Sequence, residues 1–417
     1  MLLSHETVII TDSTSSNIIG HMCYAASKLW NICNYERMHY SELGIEKYPD
    51  WYYQKSYHRN NMWFKSLPSQ SAQEVCKLLD KSWKSYYALL KSGGITNPRP
   101  PKFKQKGIPV TYMQNGMLHE DGSEIIRLSI PKKLKEYLKE TFQIHDNYLF
   151  LKNKIFKDMN HVKQLHVYPP KNGKCEVIFV YQTEDKKILP DNGHYLSVDM
   201  GLHNLMSCYD SNGASFVMGR EYLSICRKYD KEIARVQSQW AKTQTRKKIR
   251  YPKPSRHVLK LYEKKNNCIK DYLHKVTKAL VKYCEENDIR TVIIGNIKNI
   301  RKHNNKGKVN NQKLHGLPYN KIYSMLEYKL KQSGIRLIKQ EESYTSQCSP
   351  YASKVCADYA EKDNRKKRGL YVAGKEIFNA DVVGAYNIMR KHLENSGKEK
   401  KLSVSGLKNT KMLKVAV

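Results

Sequence analysis

The sequence predicts an α/β lobe following a small β-barrel that carries an inserted helical region. Three observations predict it. Apolar residues recur at three- and four-residue spacing through "IIGHMCYAASKLWNICNYERMHY" (18–40) and "SLPSQSAQEVCKLLDKSWKSYYALLKSGG" (66–94). Over 108–185 the period shortens, and "EIIRLSIP", "NYLFLKNKIF", "QLHVYPP" and "KCEVIFVYQT" alternate or run apolar between Asn, Asp and Gly. From 194 onward short buried strands alternate with helices, as in an α/β fold.

Taken in order, residues 1–15 and 95–188 make the barrel and 16–94 the helical insertion, which starts on Pro68–Ser69 cap chemistry in its second half and stops at Gly93–Gly94. The stretch "ITNPRPPKFKQKG" (95–107) is a Pro-rich basic hinge. In the α/β part, 189–342 and 379–394, "HYLSVDMG" reads as a buried strand with "NLMSCYD" and "ASFVMG" as hairpin partners. A helical stretch over 220–287 sets Ile269, Tyr272, Leu273, Val276, Leu280 and Cys284 on one face. The strand "RTVIIGNI", the helix "YNKIYSMLEYKLKQSG" and the strand "IRLIKQEE" follow, and "NADVVGAYNIMRKHL" is a last helix. Residues 343–378 form a Cys/Tyr/Lys-rich insert, and 395–417 are expected as a disordered polar tail.

Composition narrows the partner. The 417 residues carry 73 Lys+Arg against 39 Asp+Glu, a formal charge of +34. A compact body so charged repels itself unless a polyanion neutralises it, and the spread of basic residues along the whole chain fits nucleic acid. No apolar run approaches the roughly 18 residues that span a bilayer, so no membrane partner is expected. The start "MLLSHETVIITD" lacks signal-peptide anatomy, and ten scattered cysteines form no framework. Reduced thiols in the bacterial cytoplasm, on a nucleoid-associated protein, are the expectation.

The acids suggest chemistry. Asp199 follows four buried-strand residues, where an ionised carboxylate needs a cation or donors. Asp381 opens the last helix, where it serves equally as a cap. Ribonuclease-H-like nucleases gather carboxylates from separate strands and a late helix around two divalent ions roughly 3.5–4 Å apart. Such a centre takes Mg²⁺ on oxygen ligands and needs a third acid.

The phrases "SVDMGLHNLMSCYD", "IRTVIIGNI" and "NADVVGAYNI" resemble the three split RuvC segments of the TnpB family, transposon-encoded RNA-guided nucleases related to the miniature type V CRISPR effectors. "LPYNKIYSMLEYKLKQSGIRLIKQEESYTSQCS" and "KRGLYVAGKEIFNADVVGAYNI" resemble one branch of it. The likeness is strong over 190–393 and looser over 1–185, where "KLWNICNYERMHY" and "RPPKFKQKG" look like the guide- and target-binding lobe. The resemblance implies a ribonuclease-H-like (RuvC) nuclease lobe, an N-terminal barrel with an inserted helical recognition domain, two Mg²⁺ ions, a guide RNA from the transposon end or flanking locus, and double-stranded target DNA. One departure stands out: where most of the family ends the second RuvC strand with Glu, this chain has Ile294–Gly295–Asn296. The branch that it resembles shows the same exchange and keeps "EESYTS", implying a glutamate relocated to the neighbouring strand. Alternation puts Glu341 and Glu342 on opposite faces and does not choose between them. The match to E-x-Y-T-S selects Glu342 beside Asp199 and Asp381, with Glu341 in reserve.

Cys348 and Cys356 stand where the family often carries two CxxC pairs; with no second pair, a degenerate, zinc-free finger is expected. Thr345 and Ser346 either turn the chain or approach phosphate. Lys247, Lys248, Arg250, Arg365 and Arg368 are candidate phosphate contacts, and the polar run 298–316 a candidate lid. The reading is an RNA-guided DNA endonuclease that recognises a short target-adjacent motif; the alternative is a nuclease-inactive RNA-guided repressor. A strand-transferring transposase is a third class, which the "SYTS" and "GLY" phrases do not support. Oligomeric state is open.

Overall fold

The structure is a computed structural model describing residues 1–93, 95–119, 122–156, 159–297, 316–366, 369–398 and 400–416. The chain divides into two compact units, Met1–Glu184 and Asp185–Val417, each with its own core. Arg368 and the expected lid, apart from Gly316, lie outside the described residues. No described helix is long and apolar enough to cross a membrane.

In the first unit, β1 (Leu2–Ile10) leads into α1 (Ser13–Met38), capped by Asp12, whose carboxylate accepts the Ser15 N–H. Then come α2 (Trp51–Tyr57), α3 (Met62–Lys65) and α4 (Ser69–Ser92), the last ending on Gly93 in the left-handed region at φ 60°. The helices are an insertion between strands of one sheet, because β1 and β2 (Val110–Met113) share a four-stranded antiparallel sheet ordered β1-β7-β6-β2 with β6 (Val162–Val167) and β7 (Lys174–Gln182). β3 (Met117–His119), β4 (Ile125–Ser129) and β5 (Tyr148–Lys152) form a separate three-stranded sheet. The expected barrel is therefore two sheets that no strand pairing joins among the described residues. An unexpected helix, α5 (Lys132–Phe142), interrupts this strand region; Leu134 and Leu138, one turn apart, are its buried face. The basic hinge is pinned along α1: Trp30 Nε1 donates to the Lys102 carbonyl (3.1 Å) and Asn34 to that of Pro101 (3.0 Å).

The second unit is built on a six-stranded sheet ordered β12-β11-β8-β9-β10-β15. β8 (Tyr195–Asp199) pairs antiparallel with β9 (Met206–Asp210), which pairs with β10 (Ser215–Met218). On the other side β11 (Thr291–Gly295) runs parallel to β8, and β12 (Arg336–Gln340) parallel to β11. β8 and β11 are buried along nearly their whole length, as interior strands of a sheet packed on both faces must be. The intervening helices are α6 (Glu221–Arg246), α7 (Arg256–Glu286) and α8 (Tyr319–Gln332), with the expected face of α7 buried from Tyr272 to Cys284. A short hairpin, β13 (Leu370–Ala373) with β14 (Glu376–Asn379), feeds α9 (Ala380–Asn395), which packs on β8 and β9.

The tail corrects an expectation. Rather than being disordered, it adds β15 (Lys411–Leu413) parallel to β10, buries Leu407 completely, and its Ser403 carbonyl accepts the Tyr209 hydroxyl (2.6 Å). A few apolar residues and an open strand edge suffice to hold a segment whose composition is polar. All ten cysteines are free thiols.

Candidate active site

Parallel strands bring their C-terminal ends to one edge of the sheet, and three of the predicted acids arise there. The register pairs Val198 with Ile294, and Gly295 with Gln340. Asp199 thus ends β8 beside Gly295, while Glu341 and Glu342 are the first two residues beyond the last pair of β12. The strand has stopped before them, so strand alternation no longer governs where they point. The chain turns at once: Tyr344 adopts φ 66°, and Thr345 donates both its N–H (3.3 Å) and its hydroxyl (2.9 Å) to the Glu342 carbonyl. Thr345 is buried and acts as a turn former. Asn387 of α9 fixes the same turn, donating to the carbonyls of Thr345 and Cys348 (2.8 Å each).

This turn separates the two glutamates. Glu341 is exposed and forms an ion pair with Lys391 of α9 while accepting the Ser343 N–H (2.7 Å), which holds its carboxyl below the ordinary range. It is not brought to the aspartates. Glu342 turns inward. A β-carbon built on Gly295 would lie 2.2 Å from Glu342 Oε2 and 3.1 Å from Ile388 Cδ1, so the carboxylate fills the hollow that glycine leaves on the adjacent strand. That oxygen is buried with no hydrogen-bond partner, and burial, then the nearby Glu341, raises the Glu342 pKa to about 7.

Asp199 is accommodated by a second glycine. Asp199 Oδ2 lies 2.3 Å from the position of a β-carbon on Gly384, one turn along α9 from Asp381. Burial first, then the Glu342 and Asp381 carboxylates, raise its pKa to about 8, against a smaller opposing effect of Arg365. Asp199 therefore feels the charge of both other acids. Asp381 does not cap α9; Asn379 does, its Oδ1 accepting the Asp381 N–H at 3.0 Å. The Asp381 carboxylate is left free to receive Asn204 Nδ2 (3.2 Å) and the Arg365 guanidinium (3.2 Å). Asn204, Gly384, Asn379, Asn387 and Lys391 were not singled out in the sequence; Asn379, directly before the helix, carried a readable capping signal.

As the side chains stand, the carboxylates do not converge on one point, and no three described His, Cys, Asp or Glu side chains are gathered closely enough to hold an ion. Glu342 faces Gly295, Asp199 faces Gly384, and Asp381 is engaged by Arg365. The donor chemistry nevertheless fits a hard divalent cation: every donor is an oxygen, one is buried and unpartnered, and two have proton affinities that a cation would lower. Cys348 is buried and donates to the Cys356 carbonyl (3.3 Å), while the Cys356 thiol faces Asp358 (3.9 Å). Lys247, Lys248 and Arg250 are exposed where α6 ends and the chain turns toward α7; Arg250 stacks over Tyr251. Ser346 is half-buried beside the glutamate turn.

The family described as "Probable transposase" matches residues 178–301, and "Cas12f1-like, TNB domain" matches 319–388. Both fit a TnpB-like protein. The structure is similar to one solved as a Cas12f1-sgRNA-target DNA complex, with 17% identity and a TM-score of 0.59, over 90% of this chain and 83% of that one. At this identity the likeness shows the fold alone, a mixed α/β architecture. A second structure, the mini-RNA-guided endonuclease CRISPR-Cas_phi3, aligns over 97% of this chain and 94% of its own, with 10% identity and a TM-score of 0.48. No curated protein matches the chain. Asp199 lies within the first match, and Glu342 and Asp381 lie within the second.

Proposed function

We propose that the chain is an RNA-guided DNA endonuclease cutting target DNA at Asp199, Glu342 and Asp381. The observation that carries this reading is the Glu342 carboxylate in the hollow at Gly295, buried and unpartnered beside a second acid of raised proton affinity. The three acids would hold two Mg²⁺ ions, which when bound supply an activated water and neutralise charge on the leaving oxygen. Asn204 steadies Asp381, the Thr345 turn aims Glu342, and Gly384 lets Asp199 approach α9. Arg365, now on Asp381, would pass to a strand phosphate, and Lys247, Lys248 and Arg250 would follow the backbone of a guide or heteroduplex. The guide RNA would come from the transposon end or flanking locus, and the double-stranded target would be admitted by a short adjacent motif, in the bacterial cytoplasm at the nucleoid.

The test is to purify the protein with its co-expressed flanking RNA and to assay a randomised-flank plasmid library in Mg²⁺ or EDTA. Asp199→Ala, Asp381→Ala and Glu342→Ala abolish cutting while guided binding persists, and Glu341→Ala cuts normally. Normal cutting by both glutamate variants defeats the relocated acid. The Arg365–Asp381 ion pair, which engages one of the three acids, favours one second reading, a nuclease-inactive guided binder. Guided binding by the wild-type protein with no cutting in Mg²⁺ selects it.

A further inference from the structure

The first unit contains a cavity of about 570 Å³ walled by α1, α3 and α5. Its size is in the range of pockets that enclose small organic ligands. Aromatic rings make its walls: Tyr24 stands edge-on to Trp63 (centroids 5.6 Å apart) and His21 edge-on to Tyr137 (5.4 Å). Tyr24 and Tyr137 remain 47% and 44% exposed, so these rings are not absorbed into the core. Burial lowers the His21 pKa, which favours the uncharged ring at neutral pH.

Gly20 makes the floor. It lies well inside α1, where glycine weakens a helix, and its φ is not in the left-handed region. A β-carbon added there would meet nothing within 4 Å. Neither a turn nor close packing therefore explains this glycine. What it provides is empty volume inside the cavity.

The charge of the cavity runs against that of the chain. In a molecule of formal charge +34, the charged residues lining it are Lys133, Glu136 and Glu140. Lys133 is taken by Glu136 (3.3 Å), and Glu140 has no partner among the described residues. A phosphate would meet a net negative rim. A flat, uncharged ring with N–H donors would meet aromatic faces and a free carboxylate, an acceptor with two oxygens.

We propose that this cavity binds an unpaired nucleobase with N–H donors on its edge, guanine foremost, because its N1–H and N2–H lie side by side to match one carboxylate. The base stacks on the Tyr24 and Trp63 side and donates to Glu140. The proposal rests on the nuclease reading only for its expectation of nucleic acid, and its test uses neither guide nor cutting. Short fluorescent single strands of uridine carrying one central guanine, inosine or abasic position are titrated by anisotropy into the full chain, alone and as Gly20→Leu and Glu140→Gln. The guanine strand should bind about tenfold tighter than the abasic strand to the wild-type protein. Gly20→Leu, which fills the floor, should erase that difference; Glu140→Gln should erase the preference for guanine over inosine, which lacks the N2 amino group. A thermal melt checks that each variant is folded, and Glu140→Gln, a surface change, carries the test if Gly20→Leu is not. Displacement by free guanosine monophosphate would mark a nucleotide from solution as the ligand, and displacement only by the strand would mark a strand-borne base; either supports the pocket. Equal binding of the three strands, or a guanine preference that survives in folded Gly20→Leu, overturns it. Either result leaves the test of Asp199, Glu342 and Asp381 untouched, because cutting is assayed separately.

Discussion

Gly295→Ala tests the relocated acid at a position that takes no part in the chemistry. The φ of Gly295 lies outside the left-handed region, so alanine can adopt its backbone; only space argues for glycine. The new β-carbon would fall 2.2 Å from Glu342 Oε2, and carbon–oxygen contacts below 3.0 Å essentially never occur. The carboxylate must withdraw by about 1 Å to reach ordinary contact, and a misplacement of that size in a catalytic group costs about a hundredfold in rate. Ile388, with its Cδ1 3.1 Å from the same β-carbon, must also give by a few tenths of an ångström. Single-turnover plasmid cutting by the guide-loaded protein in Mg²⁺ should therefore fall about a hundredfold, with guided binding in EDTA unchanged. The reverse exchange should restore function: Gly295→Glu in a Glu342→Ala background returns the acid to β11 and should cut at least about tenfold faster than Glu342→Ala alone, since one ligand-orienting group is worth on the order of 10–100-fold. Cutting by Gly295→Ala at the wild-type rate refutes the reasoning, because the carboxylate would then not need the hollow.

Gly384→Ala puts a β-carbon 2.3 Å from Asp199 Oδ2 and should lower the melting temperature, whereas in an Asp199→Ala background it should raise it by roughly 2–4 °C, the worth of about 1 kcal/mol of helix propensity; equal shifts in both backgrounds would remove the contact. Because the Asp199 pKa is raised from 3.8 to about 8, the folded metal-free protein holds a proton that the unfolded chain has lost, so stability falls as pH rises through that window. Asp199→Asn should match the wild type in melting near the bottom of the window and exceed it above the top, with the gap closing on addition of Mg²⁺; parallel melting curves at all pH values contradict this. Removing residues 398–417 uncovers the site of Leu407 and leaves the Tyr209 hydroxyl unpaired, at a cost of roughly 2–4 kcal/mol in the second unit, read by chemical denaturation; an unchanged midpoint would mean that β15 does not hold.

Legibility in the sequence followed the physics of each residue. Asp199 could be read because an acid at the end of four buried strand residues is costly unless it has work to do. Asp381 stayed ambiguous because aspartate near a helix start serves as cap or ligand alike; the Asn379 cap removes the first role, and that residue was in plain view. Glu341 and Glu342 could not be separated by alternation because β12 ends at Gln340, and their directions are set by a turn at Tyr344 that no periodicity records. The tail misled because it gains order from a strand edge and a few apolar anchors rather than from overall composition. α5 was missed because its buried face is two leucines in an otherwise charged segment. Gly384 was invisible for another reason: its contribution is the atom it lacks, which nothing nearby in the sequence requires.

The two glycines explain why the acids can be crowded at all. Asp199 and Glu342 repel each other and are both desolvated, so each would tend to swing toward water if a neighbour pushed it. Gly384 and Gly295 supply a recess for each carboxylate against the protein, at the cost of helix propensity in one case and of strand packing in the other. Moving an acid from β11 to the end of β12 is then not a change at one position. A glutamate at 342 with a side chain at 295 would have no room, and a glycine at 295 with no glutamate at 342 would leave a hole beside Ile388. The exchange is stable only as a pair, which is the relation that the Gly295→Glu with Glu342→Ala protein tests from the opposite direction.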